Sequence, residues 1–186
     1  MRDPGWRAAA FDLRAANPHV DLAGKQTRSL EDYPDAELFV VVFTCNHCPY
    51  ARHVEPELIR IAGDYADSGV QLLAISANDP EQYPADGFDA MSSRAAEMQY
   101  PFPYLFDETQ ETAEAYGAVC TPDIFVFGKD RRLAYRGRID ETRPGKGSPT
   151  GTDLRSAIDA MLKGEAPSDE QYPSVGCSIK WKQSVS

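Results

Sequence analysis

Apolar and polar positions follow one another along this chain in the periods of strands and helices. Residues 38–44 form the longest apolar run, which is rich in β-branched and aromatic side chains. Such a run predicts a strand buried on both faces, as in a parallel sheet. After Cys48 the apolar side chains recur at helical spacing as far as Tyr65, and residues 70–76 then repeat the strand pattern. Strand, helix and strand in this order predict a βαβ unit with parallel pairing.

The hydrophobic patterns of the other segments predict further strands and helices around this unit. They predict an N-terminal hairpin in residues 10–22, a helix in 88–98, a short strand in 103–106, a short helix in 107–116, a β-hairpin in 124–138 and a last helix in 154–164. The fold class is therefore α/β, with a mixed central sheet flanked by helices on both faces. One domain is expected over residues 1–164, although residues 1–9 show no period and predict a loose arm. The tail, 165–186, is expected to pack on the same domain through Ile179 and Trp181.

Charge and composition narrow the classes of partner. The chain has 186 residues and a net charge of −10 at pH 7, which disfavours nucleic acid and anionic membranes as partners. No run approaches the roughly 18 apolar residues of a membrane span, and the first residues do not resemble a signal peptide. A cytoplasmic protein is therefore expected. Thiols there are mostly reduced, so a pair of nearby cysteines is more often catalytic or metal-binding than structural.

The candidate chemistry lies where the first long strand ends. The strand leads into Cys45-Asn46-His47-Cys48, and Pro49 follows. Proline suits the first turn of a helix, so Cys45 is predicted at the positive end of a helix, where a thiolate is favoured. Residues three apart in a helical turn lie about 5–6 Å from each other, within reach of a disulfide. The spacing favours a reversible dithiol/disulfide pair, with His47 as a group that stabilises the thiolate.

These residues resemble the thioredoxin superfamily, together with Thr121-Pro122 at the entry to a later strand and a final hairpin and helix. The segment around the cysteines and the ending Gly176-Cys177-Ser178-Ile179-Lys180-Trp181-Lys182 are similar to a bacterial thioredoxin-like, AhpC/TSA-type group with a CxxC motif, in the peroxiredoxin/TlpA-like branch. The resemblance covers roughly residues 8–164. It includes the N-terminal hairpin and an insertion before the Thr-Pro loop.

The resemblance implies a thioredoxin-like fold and a mechanism of thiol–disulfide exchange. Cys45, as the exposed sulfur, would attack a substrate disulfide, and Cys48 would resolve the mixed disulfide. Pro122 would be cis beside the disulfide, and the backbone of Thr121 would pair with an extended substrate. The expected partners are proteins or small thiols that carry a disulfide or a dithiol, with an external reductant or oxidant to reset the pair. No cofactor and no metal is expected.

Two departures from the family pattern are visible. Thioredoxins resemble one another in a buried acid on the strand before the motif, but residues 38–44 contain none, so proton transfer would need His47, Glu55 or water. The peroxiredoxin motif Pro-x-x-x-Thr-x-x-Cys fits neither Cys45 nor Cys48. An antioxidant, peroxiredoxin-like thiol peroxidase is therefore ranked second, behind a thiol–disulfide oxidoreductase.

The other two cysteines leave further alternatives open. A structural zinc site usually needs four ligands, and Cys120 and Cys177 lack paired spacing, so a non-catalytic metal-binding module is the third alternative. Cys120, two residues before Pro122, is either a third redox sulfur or a small apolar filler. Cys177 is either an accessory redox residue or an ordinary free thiol.

Overall fold

The computed structural model describes residues 3–22 and 24–183. The described chain contains both strands and helices. They are β1 (Leu13–Ala15), β2 (Thr27–Arg28), β3 (Leu38–Phe43), α1 (Pro49–Asp64), β4 (Val70–Ser76), α2 (Phe88–Glu97), β5 (Tyr104–Phe106), α3 (Glu111–Tyr116), β6 (Cys120–Thr121), β7 (Asp123–Gly128), β8 (Leu133–Gly137), α4 (Thr152–Leu162) and β9 (Cys177–Ser178). Within this part of the chain, no helix has the length and apolar character needed to cross a bilayer.

Seven strands form one mixed sheet in the order β2-β1-β5-β4-β3-β7-β8. The pairs β3–β4 and β4–β5 are parallel, and the pairs β3–β7 and β7–β8 are antiparallel. The parallel β3–β4 pair with α1 between its strands is the predicted βαβ unit. β6 and β9 form a separate antiparallel ribbon of two strands.

The central strand β3 divides the hydrophobic core into two layers. Its even-numbered side chains, such as Val40, meet buried residues of α1, α2 and α4, among them Leu58, Met91 and Leu154. Its odd-numbered side chains join the second layer with Tyr116 of α3. Burial on both faces explains why the strand is a continuous apolar run rather than an alternating one. The same arrangement places helices on both faces of the sheet, as predicted.

The N-terminal strand pair lies later in the chain than the sequence predicts. Its strands are Leu13–Ala15 and Thr27–Arg28, not segments within residues 10–13 and 20–22. The Arg28 side chain is fully buried, and its guanidinium donates hydrogen bonds to main-chain oxygens of Pro18, Val20, Leu22, Lys25 and Thr27. A buried cation needs such acceptors, so the segment before β2 wraps around it as a loop instead of forming a strand.

The described residues before β1 are not a loose arm. The Gly5 amide donates a hydrogen bond of 2.7 Å to the Leu133 carbonyl oxygen, and the Leu133 amide donates one of 2.8 Å to the Trp6 carbonyl oxygen. The Trp6 ring meets the Tyr116 ring edge to face, with centroids 5.3 Å apart. The prediction is wrong because the single aromatic side chain of Trp6 is enough to dock the segment. One such side chain produces no hydrophobic period in the sequence.

The described part of the tail packs on the second core layer and reaches Gln110, just before α3. Ile179 is 3% exposed and packs in that layer. Trp181 is 40% exposed, so the expectation that it anchors the tail by burial is wrong. Main-chain hydrogen bonds supply an anchor there instead, because the Lys182 amide donates to Gln110 Oε1 at 2.8 Å.

Candidate functional site

The turn between β3 and α1 carries the two cysteines of the motif. The Thr44 amide, just after β3, donates to the Ile75 carbonyl oxygen of β4 at 2.8 Å and keeps the strand pairing to its end. α1 begins at Pro49, and Cys48 is its N-cap residue. Cys48, and not Cys45 as the sequence suggested, therefore lies at the helix N-terminus, because the proline fixes the first helical residue directly after it.

Both sulfurs of the motif are buried. Cys45 is 5% exposed and Cys48 is fully buried. The two residues pack with Ala51, and Tyr50 and Cys177 pack against this cluster. The expectation that Cys45 is an exposed sulfur is wrong for this conformation, because the tail and the Thr-Pro loop both lie against the pair. Both cysteines are free thiols, so the structure shows the reduced form.

Thr121 contacts both sulfurs from the Thr-Pro loop. The Thr121–Pro122 peptide bond is cis, as the resemblance implies. The Thr121 hydroxyl oxygen lies 3.3 Å from Cys45 Sγ, and the Cys48 thiol donates to the Thr121 carbonyl oxygen at 3.2 Å. One residue thus offers a hydroxyl to the first sulfur and a carbonyl oxygen to the second.

The two thiols lie in one buried cluster, and each shifts the pKa of the other. Their interaction lowers the pKa of Cys48 and raises the pKa of Cys45. Burial opposes the fall at Cys48, and the proximity of Cys177 supports it. Burial and the charge of Asp86 add to the rise at Cys45, which the hydrogen bond with Thr121 opposes.

Asp86 is the acidic group of this site, and no motif in the sequence predicts it. Its side chain is fully buried, and Oδ1 accepts hydrogen bonds from the Asn46 and His47 amides at 2.8 and 3.1 Å. Oδ2 accepts a hydrogen bond from Asn78 Nδ2 at 2.8 Å and lies 2.5 Å from His47 Nδ1. Asp86 therefore fixes the turn between the two cysteines from 40 residues further along the chain. No local pattern in the sequence signals this pairing.

His47 lies next to Cys45 but is held by other groups. Its ring stacks on Tyr83 with centroids 4.8 Å apart, and its Nδ1 is paired with Asp86. Among the described residues, no hydrogen bond joins the ring to either sulfur. The stabilisation of the thiolate by His47, which the motif suggested, therefore does not take the form of a direct hydrogen bond in this conformation and stays a prediction.

Ligand atoms of Cys45, His47 and Asp86 lie within 4.8 Å of one another. Thiolate, imidazole and carboxylate are all zinc ligands, and three protein ligands with one open position are typical of catalytic zinc sites. The donor set therefore fits a metal ion, although binding would have to replace the contact between His47 and Asp86.

Glu55, the other proton carrier that the sequence suggested, belongs to a different cluster. Its carboxylate is buried and accepts hydrogen bonds from Arg94, with Nε at 3.0 Å, and from the Tyr100 hydroxyl. Glu55 is therefore held by its own hydrogen-bond partners and has a structural role. The buried acid beside the dithiol is Asp86.

The structure brings one of the two remaining cysteines into contact with the pair. Cys120 is buried, its Sγ lies 3.5 Å from the Pro122 carbonyl oxygen, and burial raises the pKa of its thiol to about 12. This placement favours the apolar filler over the redox sulfur. Cys177 instead packs against the cluster of Cys45 and Cys48.

A cavity of about 30 Å³ lies beside Pro122, between α1, the loop after β8 and the tail. Tyr50, Ile139 and Val175 contribute to its walls. This volume is enough for a water molecule or two and too small for a side chain of a substrate. In the reduced form the tail therefore occupies most of the space next to the cis proline.

Comparisons with known proteins identify the family and similar structures of this chain. The sequence matches the AhpC/TSA family over residues 4–136. The crystal structure of an uncharacterized conserved protein from Geobacillus kaustophilus is 46% identical, covers 100% of this chain and 95% of that chain, and has a TM-score of 0.92. A hypothetical protein from Sinorhizobium meliloti 1021 is 39% identical over 99% of this chain and 97% of that chain, also with a TM-score of 0.92.

A more distant structure shows the same fold. It is the thioredoxin domain of a thiol-disulfide oxidoreductase from Bacteroides vulgatus, which is 19% identical over 78% of this chain and 93% of that chain, with a TM-score of 0.57. No curated protein matches the chain. The predicted thioredoxin-like α/β fold and the AhpC/TSA resemblance are confirmed, and both support a thiol redox function.

Proposed function

Since the chain belongs to the AhpC/TSA family, we propose that it is a thiol–disulfide oxidoreductase in which Cys45 and Cys48 form the redox pair. One observation carries the proposal. Both thiols contact the same residue of the cis-proline loop, with Cys45 Sγ 3.3 Å from the Thr121 hydroxyl and Cys48 Sγ 3.2 Å from the Thr121 carbonyl oxygen. This arrangement holds the two thiols in one buried cluster, at a turn where a disulfide can form.

The reaction is a pair of sulfur exchanges. The Cys45 thiolate attacks one sulfur of a substrate disulfide, a mixed disulfide forms, and the other substrate sulfur leaves as a thiolate that takes up a proton. Cys48 then attacks the Cys45 sulfur, the Cys45–Cys48 disulfide forms, and the second substrate thiolate leaves. Two electrons pass to the substrate, and an external dithiol or thiol must return them. Run in reverse, the pair oxidises a dithiol.

Burial and hydrogen bonding select the attacking group. Cys48 is fully buried and its thiol donates to the Thr121 carbonyl oxygen, so attack on an external disulfide falls to Cys45. Loss of the Cys45 proton to solvent gives the reactive arrangement. In it the Cys48 thiol donates to the Thr121 carbonyl oxygen, and the Cys45 thiolate accepts from the Thr121 hydroxyl. We therefore assign Thr121 the role of stabilising the attacking thiolate.

His47 and Asp86 control the electrostatics of this step. The negative charge of Asp86 disfavours the Cys45 thiolate and raises its pKa. His47 Nδ1 lies 2.5 Å from Asp86 Oδ2 and helps to hold this carboxylate beside the motif. Asp86 thus supplies the buried acid that is missing from β3. We propose His47 as a positioning and electrostatic group rather than as a ligand of the sulfur.

The proposed partners are proteins or small thiols that contain a disulfide or a dithiol. No cofactor takes part, and a cytoplasmic location without nucleic-acid or membrane partners stays a prediction. Access to Cys45 requires local movement of the elements that cover it.

Substitution of each cysteine tests the assignment. In an assay that follows dithiol-dependent reduction of a model disulfide, Cys45→Ser should abolish activity. Cys48→Ser should accumulate mixed disulfides through Cys45, detectable by mass spectrometry under non-reducing conditions, while Cys120→Ser serves as the matched control with activity retained. Full activity in Cys45→Ser would refute the assignment.

A thiol peroxidase is the second candidate, because the sequence resembles the peroxiredoxin/TlpA-like branch and because a threonine hydroxyl lies 3.3 Å from the Cys45 sulfur. Its first step would be attack of the Cys45 thiolate on hydrogen peroxide, with release of water and formation of a sulfenic acid. Cys48 would then displace a second water and form the disulfide. Stopped-flow mixing with hydrogen peroxide distinguishes the two functions, since absence of fast Cys45 oxidation rejects the peroxidase.

A metal-binding function is the third candidate, and it rests on the proximity of Cys45, His47 and Asp86. Elemental analysis of the reduced protein, purified without chelator, tests it directly. A metal-free protein that also fails to bind added Zn²⁺ would reject this function.

A further inference from the structure

The tail reaches the dithiol as a strand. Cys177 of β9 lies opposite Thr121 of β6 in the antiparallel ribbon. The residue before it, Gly176, lies so close to the loop that a Cβ atom there would be 2.0 Å from the Thr121 carbonyl oxygen. Only glycine can occupy this position without displacing one of the two chains. The tail is therefore in tight contact with the turn that contacts both sulfurs.

Contacts beyond Cys177 hold this strand in place. Ile179 is buried in the core layer of α3, and the Lys180 amide donates to Asn78 Oδ1 at 2.9 Å. The same Asn78 side chain donates to Asp86 at 2.8 Å. One asparagine thus links the anchor of the tail to the acidic group of the dithiol site. The position of Cys177 is set by these contacts and not by a loose end of the chain.

Cys177 is the accessory cysteine that contacts the pair. Its side chain packs against the cluster of Cys45 and Cys48, and its main chain pairs with Thr121, the residue that contacts both sulfurs. Cys120, on the facing strand, directs its thiol to the Pro122 carbonyl oxygen instead. The two accessory cysteines are neighbours in one ribbon, yet only one of them adjoins a redox sulfur.

We propose that Cys177 is a third redox-active sulfur, which exchanges with the Cys45–Cys48 disulfide as an internal substrate. This inference rests on the proposed function, since it needs that disulfide as its starting point. The Cys177 thiol loses its proton to solvent, and the thiolate attacks Cys48 Sγ. The Cys48–Cys177 bond forms, the Cys45–Cys48 bond breaks, and Cys45 leaves as a thiolate that takes up a proton.

The exchange conserves the oxidation state of the protein. One disulfide and one thiol are present before and after it, but the disulfide has moved from the motif to the link between motif and tail. Cys45 is again reduced while the protein is still oxidised. The tail thereby has two states, a hydrogen-bonded one in the reduced protein and a covalent one in the oxidised protein.

Disulfide mapping tests the exchange. The full-length protein is equilibrated with oxidised dithiothreitol and quenched with acid, free thiols are alkylated, and the bridges are identified by mass spectrometry of non-reduced peptides. The wild type is compared with Cys45→Ser, in which Cys48 has lost its motif partner. Cys45→Ser/Cys177→Ser and Cys45→Ser/Cys120→Ser are the matched double variants.

The expected result is a Cys48–Cys177 bridge in most molecules of Cys45→Ser. It should persist in the double variant that lacks Cys120 and be lost in the one that lacks Cys177. In the wild type both the Cys45–Cys48 and the Cys48–Cys177 bridges should be found. If the wild type forms the Cys45–Cys48 bridge while Cys177 stays alkylatable in every variant, this inference is overturned and the proposed function stands. If the wild type forms no Cys45–Cys48 bridge, the proposed function itself fails.

Discussion

Replacing Gly176 by alanine should release the tail from the dithiol. The added Cβ atom would lie 2.0 Å from the Thr121 carbonyl oxygen, whereas real contacts of this kind are not shorter than 3.0 Å. The two chains must therefore separate by at least the difference, 3.0 − 2.0 = 1.0 Å. A main-chain hydrogen bond of ordinary length does not survive that displacement.

The hydrogen bonds that this displacement breaks determine how far the free energy of local opening falls. Each main-chain hydrogen bond contributes about 0.5–1.5 kcal/mol net, so loss of one or two lowers the free energy of local opening by about 0.5–3 kcal/mol. At about 1.4 kcal/mol per factor of ten, the open fraction of the tail rises by a factor of about 2 to about 140. Ile179 and the hydrogen bond from Lys180 lie beyond the clash, so opening should stay local and the fold should persist.

The assay is the rate at which iodoacetamide alkylates Cys48 and Cys45 in the reduced protein, read by mass spectrometry of the peptides. Both sulfurs are buried in the wild type, so alkylation should be limited by local opening and should accelerate by the same factor in Gly176→Ala. Gly63→Ala is the matched control, because its added methyl group has no neighbour within 4 Å. Wild-type alkylation rates in a folded Gly176→Ala protein would refute the conclusion that the tail shields the pair.

Three further predictions concern the electrostatics of the site. Thr121→Val should slow disulfide exchange by Cys45 by about tenfold or more, since a hydrogen bond to a charged group contributes about 1.5–3 kcal/mol. Thr121→Ser should keep the rate, and equal rates in the two variants would contradict a role for the hydroxyl. Asp86→Asn should shift the pH midpoint of Cys45 alkylation to lower pH, because the Asp86 charge raises the pKa of Cys45; a midpoint that stays or rises would contradict this. Burial raises the pKa of the Cys177 thiol to about 11, so the neutral thiol dominates below that pH, and the alkylation rate of Cys177 should rise about tenfold per pH unit between about 7 and 10. A flat profile over this range would show that Cys177 is already ionised.

The elements that position the motif could be predicted because their signals are local. A continuous apolar run gives β3, its two buried faces require helices on both sides, and a proline directly after Cys48 marks the start of α1. The cis peptide bond at Thr121–Pro122 followed from the resemblance to a family. Each of these features depends on a few consecutive residues or on a motif that covers them.

The features that the sequence did not predict depend on contacts between distant residues. Asp86 reaches the motif across about 40 residues, and nothing in its own neighbourhood distinguishes it from an exposed loop acid. The ribbon of β6 and β9 joins two strands of two residues each, too short for a period to be visible. The burial of Cys45 follows from that ribbon and from the tail. Local patterns therefore predicted the strand and the helix that flank the two cysteines. Contacts between distant residues determine how exposed the cysteines are and which residues they touch.

The redox equilibrium of the protein against glutathione decides whether Cys45 and Cys48 form a redox pair. Reduced protein is incubated at graded ratios of reduced to oxidised glutathione, quenched with acid and analysed by mass spectrometry for bridges and adducts. We predict one two-electron transition in which Cys45 forms an intramolecular bridge with Cys48. Four free thiols at every ratio, or glutathione adducts of Cys45 in place of that bridge, would contradict it.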